Sequence, residues 1–222
     1  MTPIPVIAID GPTASGKGTV AQRVAEALGF HYLDSGALYR LTGLAATQRG
    51  VQLDNATALA EIASSLDIRF EGEVVFLDGI DVTEAIRSET ASQNASKVAA
   101  IPAVRDALSL RQKAFAQPPG LVADGRDMGS VIFPDAKLKI YLTASAEARA
   151  ERRTKQLKQK GISAIIEDVV KDLRSRDERD SNRLVAPLKK QHDAQLLDTT
   201  AISADDAVAR VLAWFHSPPR RQ

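Results

Sequence analysis

The sequence predicts an α/β fold, with a mostly parallel central sheet flanked by helices and a small antiparallel β insert. Three observations carry this. Val6-Ile-Ala-Ile-Asp10 is a continuous apolar run that meets a glycine-rich turn and then a stretch of helical period. Further apolar runs at 121–124, 138–142 and 196–198 alternate with helical patterns, which calls for parallel strands. Between them lie three short β-rich runs, Ile68–Phe70, Val74–Leu77 and Ile80–Val82. The last two are joined by Asp78-Gly79, a hairpin signal.

Element by element, Val6–Asp10 reads as a strand buried on both faces. Residues 17–28 form a helix whose apolar face is Val20, Val24, Ala27 and Leu28, stopped by Gly29. Helical patterns follow at about 36–48 and 55–66. The β-rich runs then read as an inserted subdomain, 67–89, that continues into helices to about 116. Pro102 opens the second of these helices. The remainder, 1–66 and 90–222, makes the core. Leu121–Asp124 and Leu138–Leu142 are strands, 145–160 and 163–183 are charged helices, and Leu196–Asp198 is a last strand. Ser203, with Asp205 and Asp206 behind it, caps a final helix through Phe215. The tail Pro218–Gln222 is expected to fray.

Composition removes whole classes of function. The chain has 222 residues, 44% of them apolar, enough for a real core, so a disordered or fibrous chain is out. The net charge of +1 provides no field for nucleic acid or an anionic membrane. Aromatic residues, at 5%, are too few for a base-stacking platform. The absence of cysteine excludes disulfides, thiolate metal sites and cysteine catalysis. His31, His192 and His216 fit no metal-ligand spacing. With no signal peptide and no apolar run of membrane-spanning length, the expectation is a cytoplasmic protein.

The strongest chemical signal is Gly11-Pro12-Thr13-Ala14-Ser15-Gly16-Lys17-Gly18-Thr19, which matches G-x-x-x-x-G-K between a strand and a helix. Glycines let the backbone wrap close enough to aim N–H groups at phosphate oxygens. The helix N-terminus adds partial positive charge, and Lys17 adds a full one. The residue after Lys17 is Gly18, with Thr19 one later, so the usual magnesium-touching hydroxyl is displaced. G-K-G-T is similar to the loop of nucleoside monophosphate kinases. No N-K-x-D is present, so the guanine-reading element of GTPases is missing.

Three further segments are candidates for an acceptor. Asp34-Ser35-Gly36-Ala37-Leu38-Tyr39-Arg40 begins a helix, where Ser35 is a cap, a site residue or both. Asp124-Gly125-Arg126-Asp127-Met128-Gly129 follows a strand, where ligands of parallel sheets collect. Arg176, Arg179, Asp180 and Arg183 share a helical face, as a solvated salt-bridged helix would, and Arg149, Arg152 and Arg153 precede them. Phosphoryl transfer between two polyanions favours the site reading, because several charges must be offset at once and arginine does so bidentately.

Taken in order, Gly11–Thr19, Asp34–Arg40, Asn94–Arg105, Asp124–Gly129 and Arg176–Arg183 resemble the bacterial cytidylate kinase family over nearly the whole chain. The resemblance implies a P-loop kinase fold, with the insert binding the monophosphate and a short helical lid at about 149–162. It implies transfer of the γ-phosphoryl group of ATP to CMP or dCMP by direct in-line attack. Residues 11–19 would bind ATP. Ser96, Arg105 and Asp127 would read the cytosine, Arg176 and Asp180 the pentose, and Ser35, Arg40, Arg126 and Arg183 the acceptor phosphate. Lys17, Arg126, Arg183 and Arg153 are the catalytic candidates. Magnesium is expected to be held mainly through the ATP phosphates, with no metal site of the protein's own, and the chain to act as a monomer. A hydrogen-bond argument agrees for the base: Asp127 would accept from the exocyclic amine, where uracil would present a carbonyl.

Overall fold

The computed structural model describes residues 3–72, 74–159, 161 and 163–217. The expected tail at 218–222 and parts of the expected insert and lid, Glu73, Lys160 and Ile162, lie outside these. The chain forms two compact units, one of residues up to Leu33 and from Phe115 onward, the other of Asp34–Ala114.

The first unit is built on a five-stranded sheet. Its strands are β1 (Val6–Asp10), β2 (His31–Asp34), β6 (Leu121–Gly125), β7 (Leu138–Thr143) and β8 (Gln195–Asp198), in the order β2-β6-β1-β7-β8. β1 pairs in parallel with β6 and with β7, and β7 with β8. Every residue of β1 and β6 is buried, as strands covered on both faces require. Helices α1 (Lys17–Leu28) and α9 (Ala204–His216) cover Ile7, Ile9, Val122, Ile140 and Leu142. Burying side chains of this size contributes about 1.5–3 kcal/mol each. Of the expected face of α1, Val20 and Val24 are buried and Leu28 packs on the core, and Ala21 and Ala25 are buried beside them. Ala27 is exposed, because the small Ala21 and Ala25 turn the contact stripe toward the sheet. Ser203 caps α9 in a full capping box with Asp206. Helices α7 (Ala146–Gln159) and α8 (Ile166–Asn182) pack on each other.

The second unit holds α2 (Ser35–Gln48), α3 (Ala56–Ser65), β3 (Ile68–Glu71), β4 (Val74–Leu77), β5 (Ile80–Asp81), α4 (Thr83–Ile86), α5 (Glu89–Val98) and α6 (Pro102–Ala114). The three strands form an antiparallel meander. Asp78 and Gly79, at φ 51° and 77°, make its second turn, the geometry the dipeptide favours. This unit starts earlier than the 67–89 insert, since α2 packs on α5 and α3 on α6.

Candidate active site

The phosphate loop begins where β1 ends. A Cβ on Gly11 would meet the Leu142 carbonyl oxygen at 2.0 Å, so no side chain fits there. Gly16, in the left-handed conformation at φ 91°, ends the loop and opens α1 without a side-chain cap. Lys17 Nζ reaches back to the carbonyl oxygen of Pro12 at 3.3 Å. Two loop carbonyls are held from outside. Arg149 donates to Thr13 O at 3.1 Å, and Arg152 to Ser15 O at 3.2 Å. In a planar trans peptide the N–H points opposite the C=O, so the amides that follow face the concave side. That concave face and an uncapped helix N-terminus suit a polyphosphate.

Beside the loop is a cavity of about 520 Å³, bounded by residues 14–20, by Arg152 and Gln156 of α7, and by the segment from Thr199 to Ala207. Sequence reasoning missed its far wall. Thr199 follows β8 and donates from its hydroxyl to Ser15 O at 3.2 Å. A threonine pair placed between a short strand and a capped helix, at the carboxyl end of the sheet, was the available signal.

On the other side of the loop, β6 leads into Arg126 and Asp127. Arg126 Nε donates to Asp180 Oδ2 at 2.7 Å. Burial works against the charge of both, but each outweighs it for the other: Asp180, then Asp124 and Asp177, hold the guanidinium above its usual value. Arg126, then Arg183 and Lys17, hold Asp180 below the carboxylate range. Asp127, Arg176 and Asp180 are buried. Arg176 pairs with Asp172 at 2.9 Å, and burial followed by Arg179 lowers its pKa. Arg179 itself is exposed and bonds Ser175, because the inner stripe of α8 runs through Leu173, Arg176 and Asp180. Arg183 ends α8 and donates to Ala186 O at 2.9 Å. Arg153 is half-buried, and desolvation lowers its pKa against the pull of Asp172.

The other named residues lie in the second unit. Asp34, not Ser35, caps α2: its extended backbone lets the carboxylate accept from Ala37 N at 3.0 Å, while Ser35 is already the first helical residue. Arg40 pairs with the same carboxylate. Arg105 is buried, donates to Ala99 O at 3.4 Å and lies 6.0 Å from the Tyr39 ring centroid. Ser96 is half-buried on α5, two residues before its end.

Residues 7–217 match the family described as cytidylate kinase. The chain belongs to the cytidylate kinase family. A cytidylate kinase of Cupriavidus necator is 60% identical over 215 residues, 97% of each chain. One of Burkholderia ambifaria is 59% identical over 97% of this chain and 94% of its own. An uncharacterized protein of Eubacterium ventriosum, 12% identical, covers 96% of this chain and 99% of its own with a TM-score of 0.51, which is a likeness of fold.

For a cytidylate kinase the question of magnesium turns on the donors nearest the loop. Asp124 lies next to the end of β6, beside α1: a Cβ on Gly18 would lie 3.8 Å from Asp124 Oδ2 and 3.6 Å from the Tyr32 hydroxyl. That hydroxyl donates to Asp124 Oδ1 at 3.0 Å. An ordered carboxylate with a second oxygen toward the loop suits a hard cation that keeps most of its waters. Among the described residues no cluster of three or more acids or histidines could hold a metal outright, and no helix is long and apolar enough to cross a membrane.

Proposed function

We propose that this cytidylate kinase family member transfers the γ-phosphoryl group of ATP to CMP and dCMP, giving ADP and CDP or dCDP. The observation that carries the reading is the glycine-rich loop on β1, within a family match that spans residues 7–217. ATP lies with its phosphates on residues 11–19 and its base in the neighbouring cavity. Magnesium bound with the triphosphate would offset part of its phosphate charge, with Lys17 and Asp124 as the nearest charged groups of the loop region. Asp124, ordered by Tyr32, holds water on that side.

The acceptor phosphate attacks in line, and no covalent intermediate forms. An acceptor that is already an anion needs no general base, so positioning and charge do most of the work. Lys17 follows the migrating group, and Arg126, Arg183 and Arg153 supply further charge. Ser35 and Arg40 hold the acceptor phosphate with them. Arg176 and Asp180 meet the pentose, and Ser96, Arg105 and Asp127 the cytosine. The segment of about 149–162 serves as the lid and the meander with its helices as the acceptor-binding subdomain. The working form is a cytoplasmic monomer.

The experiment is ADP release measured with CMP, dCMP, UMP and AMP as acceptors. CMP and dCMP should drive it, with UMP and AMP far behind. Faster release with UMP would move the assignment to another small acceptor. ATP binding with no acceptor-dependent release would make the protein a nucleotide-binding switch.

A further inference from the structure

We propose that Asp10 is a positioning residue for the acceptor nucleotide: from the strand that feeds the phosphate loop, its buried carboxylate fixes the turn presenting Arg126 and Asp127. This rests on the reading above that those two residues belong to the acceptor.

Asp10 is the last residue of β1 and 7% exposed. A carboxylate there is costly, since every other residue of the strand is apolar and buried. It accepts two backbone hydrogen bonds, from Met128 N and Gly129 N, both at 2.8 Å. Those amides begin a short π-helical turn, Met128–Ile132, in which Val131 N and Ile132 N both bond to Asp127 O. Wide turns of this kind are rare and cluster at functional sites. The carboxylate therefore satisfies N–H groups that a π-turn leaves open, immediately after Asp127. In the backbone beside it, Gly11 N donates to Gly125 O at 3.3 Å. Two links thus join the start of the phosphate loop to the segment that carries Arg126 and Asp127.

The groups around it show why the charge matters. Asp127 and Arg126 face it from the turn and Tyr141 from β7. Lys139, also on β7, lays its methylenes against Gly129 while its ammonium pairs with Asp193 at 2.8 Å. Only a carboxylate can accept both amides. An asparagine would turn its NH₂ toward one of them, donor against donor.

The test is KM for CMP, KM for ATP and kcat in Asp10→Asn, with Asp127→Ala alongside. Asp10→Asn should raise the CMP KM about tenfold, the size of one charged hydrogen bond. The ATP KM and the kcat at saturating CMP should stay within about threefold. Equal rises for both substrates, or no rise, overturn the proposal. If Asp127→Ala leaves the CMP KM unchanged, the acceptor reading falls and takes this proposal with it. An effect of Asp127→Ala without one of Asp10→Asn overturns the proposal alone. Should Asp10→Asn fail to fold, Gly129→Ala answers instead. Its Cβ would sit 3.2 Å from the Lys139 methylenes and 3.4 Å from Asp10 Oδ2, crowding the carboxylate where it meets the same turn. The same split supports the proposal, and an unchanged CMP KM overturns it.

Discussion

Within the first unit, the two sides of the phosphate loop are made of different material. On the cavity side the loop offers backbone: the amides of an uncapped helix end, with Arg149 and Arg152 holding loop carbonyls from outside. Arg149 serves Thr13 and Ala144, and Arg152 serves Ser15 and Thr199. On the β6 side the groups are side chains in opposed pairs, Arg126 with Asp180 and Arg176 with Asp172. A wall of amides accepts any polyphosphate of the right shape, whereas a wall of paired charges is particular about what replaces its partners. The division does not follow the helices: Arg149 of α7 also pairs with Asp177 of α8 at 2.6 Å, and Arg183 at the end of α8 donates to a carbonyl. Arg149 and Arg152 hold the loop's carbonyls, while Arg126 and Arg176 stand in pairs with carboxylates.

The largest expected effect tests where the two sides meet. Lys17 stands on the backbone-built side with Arg149 and Arg152, and its field already reaches Asp180 on the other. Lys17→Met should fold normally and lose about 10³ in kcat, the scale of removing one transition-state electrostatic contact. A folded variant with near-normal kcat would show that the amides alone carry the transferring group.

How far the sequence was legible follows the same division. The phosphate loop could be read because its chemistry is local: a strand, nine residues and a helix are contiguous in the chain. β2 could not. Of its four residues only Leu33 is buried, too little to make an apolar run. The π-turn after Asp127 has no periodic signature, and Asp10 looked like the end of a strand until its partners, 118 and 119 positions away, were in view. For the arginines the difficulty was of another sort. Spacing placed Arg176, Arg179 and Arg183 on one face, but burial separates Arg176 from the exposed Arg179. Which arginines meet carbonyls and which meet carboxylates depends on contacts that no helical wheel contains. The acceptor roles of Ser96 and Arg105 came from resemblance alone.

A smaller effect sharpens the contrast from the cavity side. Arg152→Ala removes donors to Ser15 O, to the Thr199 hydroxyl and to Thr199 O. Loss of these should cost about 2 kcal/mol of stability, at roughly 1 kcal/mol per net hydrogen bond with some replaced by water. It should also raise the ATP KM about tenfold while the CMP KM stays within about twofold. Equal rises would mean that Arg152 touches both nucleotides and that the two sides are less separate than their materials suggest.

The smallest effect is a pH dependence, and it belongs to the residue that joins the two sides. Burial, the leading cause, and the nearby Asp127 push the Asp10 carboxyl from 3.8 up to about 6, against the two amides and Arg126. Between those values the folded state holds a proton that the unfolded chain has released, so stability falls as pH rises and the cost is complete above about 6. Asparagine does not titrate. Asp10→Asn loses an amide bond at every pH, a constant offset, but escapes the ionisation cost. Its stability relative to the parent should therefore improve by about 1.4 kcal/mol between about pH 5 and pH 7.5, equivalent to one pKa unit. Urea unfolding of both proteins at the two pH values measures the difference directly. A flat difference would mean that the carboxylate is ionised throughout. The same flat result follows if the amides of Met128 and Gly129 outweigh burial, since a carboxyl held below its ordinary value is ionised in both states above pH 5.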